Sequence, residues 1–135
     1  MSVAVRGCRA GAGGQVPAAG DTVGPVLVAF SVSPSGGPLP GGPAAGREVD
    51  SVTEAVAAAL RVVRASGVAH HTDSMFTTLE GDWDEVMAVV KDACSAVGAY
   101  GPRVSLVLKA DIRPGHVGEL TGKVGRVEAA LAESA

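Results

Sequence analysis

Hydrophobic and polar positions follow two rhythms along this chain, and the switches between them lay out its elements. From Pro25 the run VLVAFSVS places Val26, Val28, Phe30 and Val32 on one side of an extended strand, with Leu27, Ala29, Ser31 and Ser33 on the other. After a Pro/Gly-rich stretch the period changes to steps of three and four. Val52, Val56, Leu60 and Val63 predict a helix with one buried face, opened by Ser51 and Glu54 as a capping box and closed by Gly67. Residues 68–71 and 75–80 read as two short strands of a hairpin turning near 72–74. Asp82 then stands at the N-cap of a second helix, with Glu85 three residues on and Val86, Val89, Val90, Ala93 and Val97 on one stripe before Gly98. Pro102 leads into RVSLVLKADI, where Val104, Leu106, Leu108, Ala110 and Ile112 alternate with Ser105, Lys109 and Asp111. Val117, Leu120, Val124, Val127 and Leu131 predict a final helix with an a/d-like stripe that tolerates Gly122 and Gly125.

The order is β-α-β-β-α-β plus a terminal helix, which is the split βαβ pattern of an α+β, ferredoxin-like sandwich with an added C-terminal helix. Right-handed crossovers put both inner helices on one face of a four-stranded antiparallel sheet and leave the other face bare. Leu27, Ala29 and Val107 on that face, and the stripe of the last helix, are two separate apolar surfaces. Self-association to a dimer or tetramer is therefore expected, most simply a homotetramer.

At 135 residues one core is the usual solution. The expected domain is 25–135, preceded by a Gly/Ala-rich, disordered leader over 1–24 and carrying an extended Pro/Gly loop over 34–49. Net charge is −3 with no Lys/Arg cluster, which argues against nucleic acid and anionic membranes as partners. No apolar run approaches the roughly 18 residues of a membrane span, and nothing after Arg6 and Arg9 resembles a signal peptide, so a cytoplasmic location is expected. Cys8 and Cys94 read as free thiols. His70 and His71 are adjacent, hence on opposite faces of a strand, and with His116 apart from them no metal site is expected. Gly122-Lys123 is followed by Val124 and is no phosphate loop. No nucleophile has an evident base partner, so no catalytic residue and no cofactor are expected.

Chemistry concentrates at the junction MFTTLEGDWDEV. Thr77, Glu80 and Trp83, with Ser31 and Ser33 from the first strand, bring hydroxyls, a carboxylate and an aromatic wall to adjacent strand ends. Those groups suit a small aromatic ligand. The segments 26–34, 75–93, 102–115 (PRVSLVLKADIRPG) and 122–128 (GKVGRVE) together resemble the family of small thiamine-binding proteins. The most specific piece is T-x-x-E-G-[DE]-W-D-E, here Thr77, Glu80, Gly81, Asp82, Trp83, Asp84 and Glu85. The resemblance implies the ferredoxin-like fold, dimers and tetramers, and the holding of thiamine or its pyrimidine part without a known reaction. It also places Phe76 at the site, because the family has Pro-Met-Gly where this chain has Ser74-Met75-Phe76. Each candidate has a plainer reading too: Thr77 as a strand residue, Ser31 and Ser33 at an oligomer seam, Glu80 beside a helix N-terminus, Trp83 packed across the sheet edge. Two other functions fit the same residues: an enzyme acting on a pyrimidine or thiamine breakdown product with Glu80 as acid or base, and a structural or regulatory oligomer without a ligand.

Overall fold

Val26, Val28, Phe30 and Val32 are all buried while their alternate neighbours are half-exposed, which marks the first strand as central to the sheet. The computed structural model describes residues 23–47 and 52–134. Its elements run β1 (Pro25–Ser35), α1 (Thr53–Ser66), β2 (Ala69–Thr72), β3 (Thr77–Asp82), α2 (Trp83–Val97), β4 (Arg103–Ile112) and α3 (Glu119–Glu133), with a short 3-10 turn over Gly98–Tyr100. The sheet is antiparallel in the order β2-β3-β1-β4. This is the expected α+β, ferredoxin-like arrangement, with α1 and α2 packed on each other and on β1. The expectation for a leader over 1–24 falls on residues outside the described ones, Val23 and Gly24 excepted.

Helix α2 buries Val86, Val89, Val90, Ala93 and Val97, all five positions of the predicted stripe. Asp82 takes its N-cap position with extended backbone, but its side chain makes no cap hydrogen bond. Helix α1 departs further from expectation. Ser51 lies outside the described residues, and the N-cap is Val52, again without a side-chain cap. The buried face is Ala55, Ala59 and Val63, while Val52 is exposed and Val56 and Leu60 are half-buried. Small alanines let α1 lie close to the sheet and α2, so its valine and leucine row turns sideways. Gly67 ends the helix in the left-handed conformation (φ 75°), as predicted.

The loop is shorter at its start than predicted, because Pro34 and Ser35 continue β1 opposite Val104 and Arg103. Residues 36–47 then fold into successive turns with Ala44 buried. Gly101 is what allows β1 to run that far: a Cβ there would stand 2.8 Å from the Ser35 carbonyl oxygen.

The sheet face away from α1 and α2 is covered at one end and open at the other, where Val107 is exposed. Leu27 on β1 has Glu80 of β3 and Asp111 of β4 as its register neighbours, and the start of α3 docks on this row. The Glu119 N–H donates to Glu80 Oε2 at 2.6 Å, and Lys123 pairs with Asp111. Asp111 thus has a partner within its own chain. The stripe of α3 faces outward, with Val124, Val127 and Leu131 about 60% exposed.

Candidate functional site

The β1–β3 ladder stops at Phe30 opposite Thr77, whereas β1 continues beside β4 to Ser35. From Ser31 onward β1 therefore has no strand partner on its β3 side, and its peptide groups there are open to whatever lies alongside. A cavity of about 260 Å³ occupies this place. Phe30, Ser31, Val32 and Ser33 of β1 form its floor; Val52, Val56, Ala59 and Leu60 of α1 form one wall; residues Thr72 to Thr77 of the β2–β3 turn form the other.

Four of the six predicted site residues meet here: Ser31, Ser33, Phe76 and Thr77. Thr77 is buried and its hydroxyl shares a 3.0 Å hydrogen bond with that of Thr72, so a buried polar group is satisfied at the cavity wall. Phe76 is half-buried, and its ring joins Phe30 as the aromatic part of the lining.

Glu80 and Trp83 are not brought to this cavity. Thr77 and Glu80 are three residues apart on one strand, which sends them to opposite faces about 10 Å apart along it. Glu80 lines a much smaller crevice with Asp111, Arg113, His116, Glu119 and Lys123, where it binds the first N–H of α3. Beside that crevice the Arg126 guanidinium, 2.6 Å from Glu119, holds the Glu119 carboxyl below the usual carboxylate range. Trp83 packs half-buried against the core at the start of α2. Glu80→Ala is expected to lower stability by about 1–3 kcal/mol through loss of a charge-assisted hydrogen bond and to speed hydrogen exchange at amides 119–122. Ligand titration into the cavity should be unchanged, and a large loss of affinity in this variant would put Glu80 back at the binding site.

The residue that sequence reasoning missed is Asp73. Its Oδ1 accepts the N–H groups of Met75 at 2.8 Å and Phe76 at 2.9 Å, while its own N–H donates to the Phe76 carbonyl at 2.9 Å. The two backbone donors, Met75 first, hold its carboxyl below the ordinary range and keep it anionic at neutral pH. The signal was available: an aspartate two and three residues before the N–H groups of a tight turn is an Asx-turn signature.

Comparison with known proteins places the chain in a family. Residues 42–128 match the model of a family described as thiamine-binding protein. A UPF0045 protein of Mycobacterium tuberculosis is 51% identical over 104 residues, covering 76% of this chain and 91% of the relative. Among solved structures, a domain of unknown function (DUF77) from Bacillus cereus is 32% identical with a TM-score of 0.57, covering 72% of this chain and 86% of that one. A candidate thiamine biosynthesis/salvage protein from Thermotoga maritima shares the fold at 22% identity and a TM-score of 0.60, covering 76% and 98%.

Proposed function

The chain belongs to the thiamine-binding protein family, and on that premise we propose that the cavity beyond the Phe30–Thr77 rung binds thiamine or a related pyrimidine without transforming it. A thiamine-related role follows from the family. The observation that carries the finer reading is the coincidence of Ser31, Ser33, Phe76 and Thr77 around one space at an unpaired strand edge. An aminopyrimidine presents ring-nitrogen acceptors beside an exocyclic amine donor, a pattern that open β1 peptide groups and the two serines can meet. Phe30 and Phe76 offer π faces, and Val52, Val56 and Leu60 an apolar wall.

Size agrees with this ligand class. An apolar cavity of about 150 Å³ takes a benzene ring, whereas drug-sized ligands use about 300–1,000 Å³. A volume of about 260 Å³ suits a heteroaromatic ring with its substituents. Binding rather than catalysis is favoured because Asp73, the ionisable side chain among the described lining residues, has one oxygen already occupied by two backbone donors.

The working form is a homo-oligomer, as a dimer or a tetramer. Support comes from outward apolar side chains on the edge strand β4, Leu106 and Ile112 on one face and Val107 on the other, and from Val117, Val124, Val127 and Leu131 at α3. Within the described residues no helix is long and apolar enough to cross a membrane.

Titration calorimetry of the full chain with thiamine should give saturable binding, and product analysis after prolonged incubation should find thiamine intact. Sedimentation at micromolar concentration should show an oligomer. A protein that gives no binding heat with thiamine or its aminopyrimidine half would refute the reading, and turnover of either would replace it with an enzymatic one.

A further inference from the structure

We propose that the cavity selects an unphosphorylated, cationic azaheterocycle over its phosphate esters, and that Asp73 at the rim is the specificity-determining charge. This rests on the cavity being the binding site, and it adds what family membership leaves open: the charge state of the ligand and the residue that reads it.

Three observations converge. First, Asp73 is fixed in place. Its Oδ1 is held by two backbone N–H groups of its own turn, which leaves Oδ2 without a hydrogen-bond partner among the described residues. An oriented carboxylate with a spare oxygen at a cavity mouth attracts a quaternary or protonated nitrogen and repels an anion. Second, the lining carries no counter-charge for an anion. None of the described lining residues is Lys, Arg or His. Arg61 follows Leu60 on α1 but is exposed and does not line the cavity, and Arg47, ahead of α1, is held by Glu54 through two hydrogen bonds of 2.7 and 2.6 Å. A phosphate ester brings about two negative charges at neutral pH and is normally met by Arg, Lys or several N–H groups. Third, the space is small. At about 260 Å³ the cavity holds a substituted ring, so a pyrophosphate arm would have to extend past the rim that carries Asp73.

One feature opposes this reading. The N-terminal end of α1 lies at the same side, since Val52 lines the cavity, and a helix N-terminus favours anions. Glu54 in the first turn is paired with Arg47, so these two side chains add no net charge there. The helix presents Val56, Ala59 and Leu60 to the space from its flank, and the full charge on Asp73 outweighs the partial charge that remains.

Calorimetric titration of the full chain with thiamine and with thiamine pyrophosphate, in parallel, tests the proposal. The wild type should bind thiamine about tenfold more tightly or better, a difference on the scale of one well-placed charge. Asp73→Asn keeps an oxygen to accept the two turn N–H groups, so the fold should be retained. It should weaken thiamine by about tenfold and bring the two ligands within a few-fold of each other. Met75→Lys is the second variant: Met75 is 71% exposed, so the substitution disturbs no packing, and a cation at the rim should shift the ratio in the same direction. Equal wild-type affinity for the two ligands would overturn the selectivity while leaving thiamine binding intact. A wild-type ratio preserved in both variants would overturn the role of Asp73. Binding of neither ligand would remove the binding reading, and this inference with it.

Discussion

Val56→Trp is expected to reduce thiamine binding by at least about 100-fold while the protein still folds. Val56 sits on the flank of α1, half-buried, and is one of the residues closing the cavity. An indole at this position has an empty space of about 260 Å³ to enter and can stack on Phe30 or Phe76 there. Overpacking a filled core costs about 1–3 kcal/mol, but here the added ring meets a void, so the stability change should be about 1 kcal/mol or less and can take either sign. The ligand and the indole compete for the same volume. Steric exclusion of this kind removes most of the binding free energy, unlike deletion of one hydrogen bond, which removes about 0.5–1.5 kcal/mol. Calorimetry reads the affinity and thermal melting reads the fold. Full affinity in Val56→Trp would place the ligand elsewhere, with the small crevice beside Glu80 and Lys123 as the next place to look.

Much of this fold is legible in the sequence because α2 and β4 have unambiguous periods. The valines of α2 are all large and all inward, so its stripe reads correctly to the residue. Helix α1 misleads for a specific reason: its true inward face is Ala55, Ala59 and Val63, and alanine marks neither a buried nor an exposed face. The more conspicuous row of Val52, Val56 and Leu60 looks like a core stripe but forms the wall of a cavity. Apolar residues around a binding space and apolar residues in a core have the same pattern until the packing is known. The strand-period rule separates Thr77 from Glu80 without any structure, since an odd spacing cannot put two side chains on one face. A long-range contact such as Glu80 with the start of α3, 39 residues on, has no local signature at all. Asp73 lies between these cases, with a visible turn motif but no sequence sign that the turn borders a cavity.

Leu79→Ala is expected to destabilise the protein by about 2–5 kcal/mol, a large fraction of the roughly 5–15 kcal/mol that holds a domain of this size together. Leu79 is fully buried on β3, an interior strand, with Val28 opposite it on β1 and His70 on β2. The size of the effect depends on how far the surroundings can collapse into the gap. The chain has only two phenylalanines, one tryptophan and one tyrosine, and the α1 face above the sheet is built on Ala55 and Ala59. Such small side chains already sit at close approach, and among the described residues no flexible methionine is fully buried to fill the hole. The cost should therefore fall in the upper half of that range. Leu106→Ala is the comparison: the same side chain on the edge strand β4, 42% exposed, should cost about 1 kcal/mol or less within one chain. Urea unfolding at fixed protein concentration, followed by the fluorescence of Trp83, measures both variants, and the fixed concentration keeps any subunit association constant between them. A Leu106→Ala loss as large as that of Leu79→Ala would show that the edge of β4 is itself buried in the native assembly, which would locate the subunit interface at this strand.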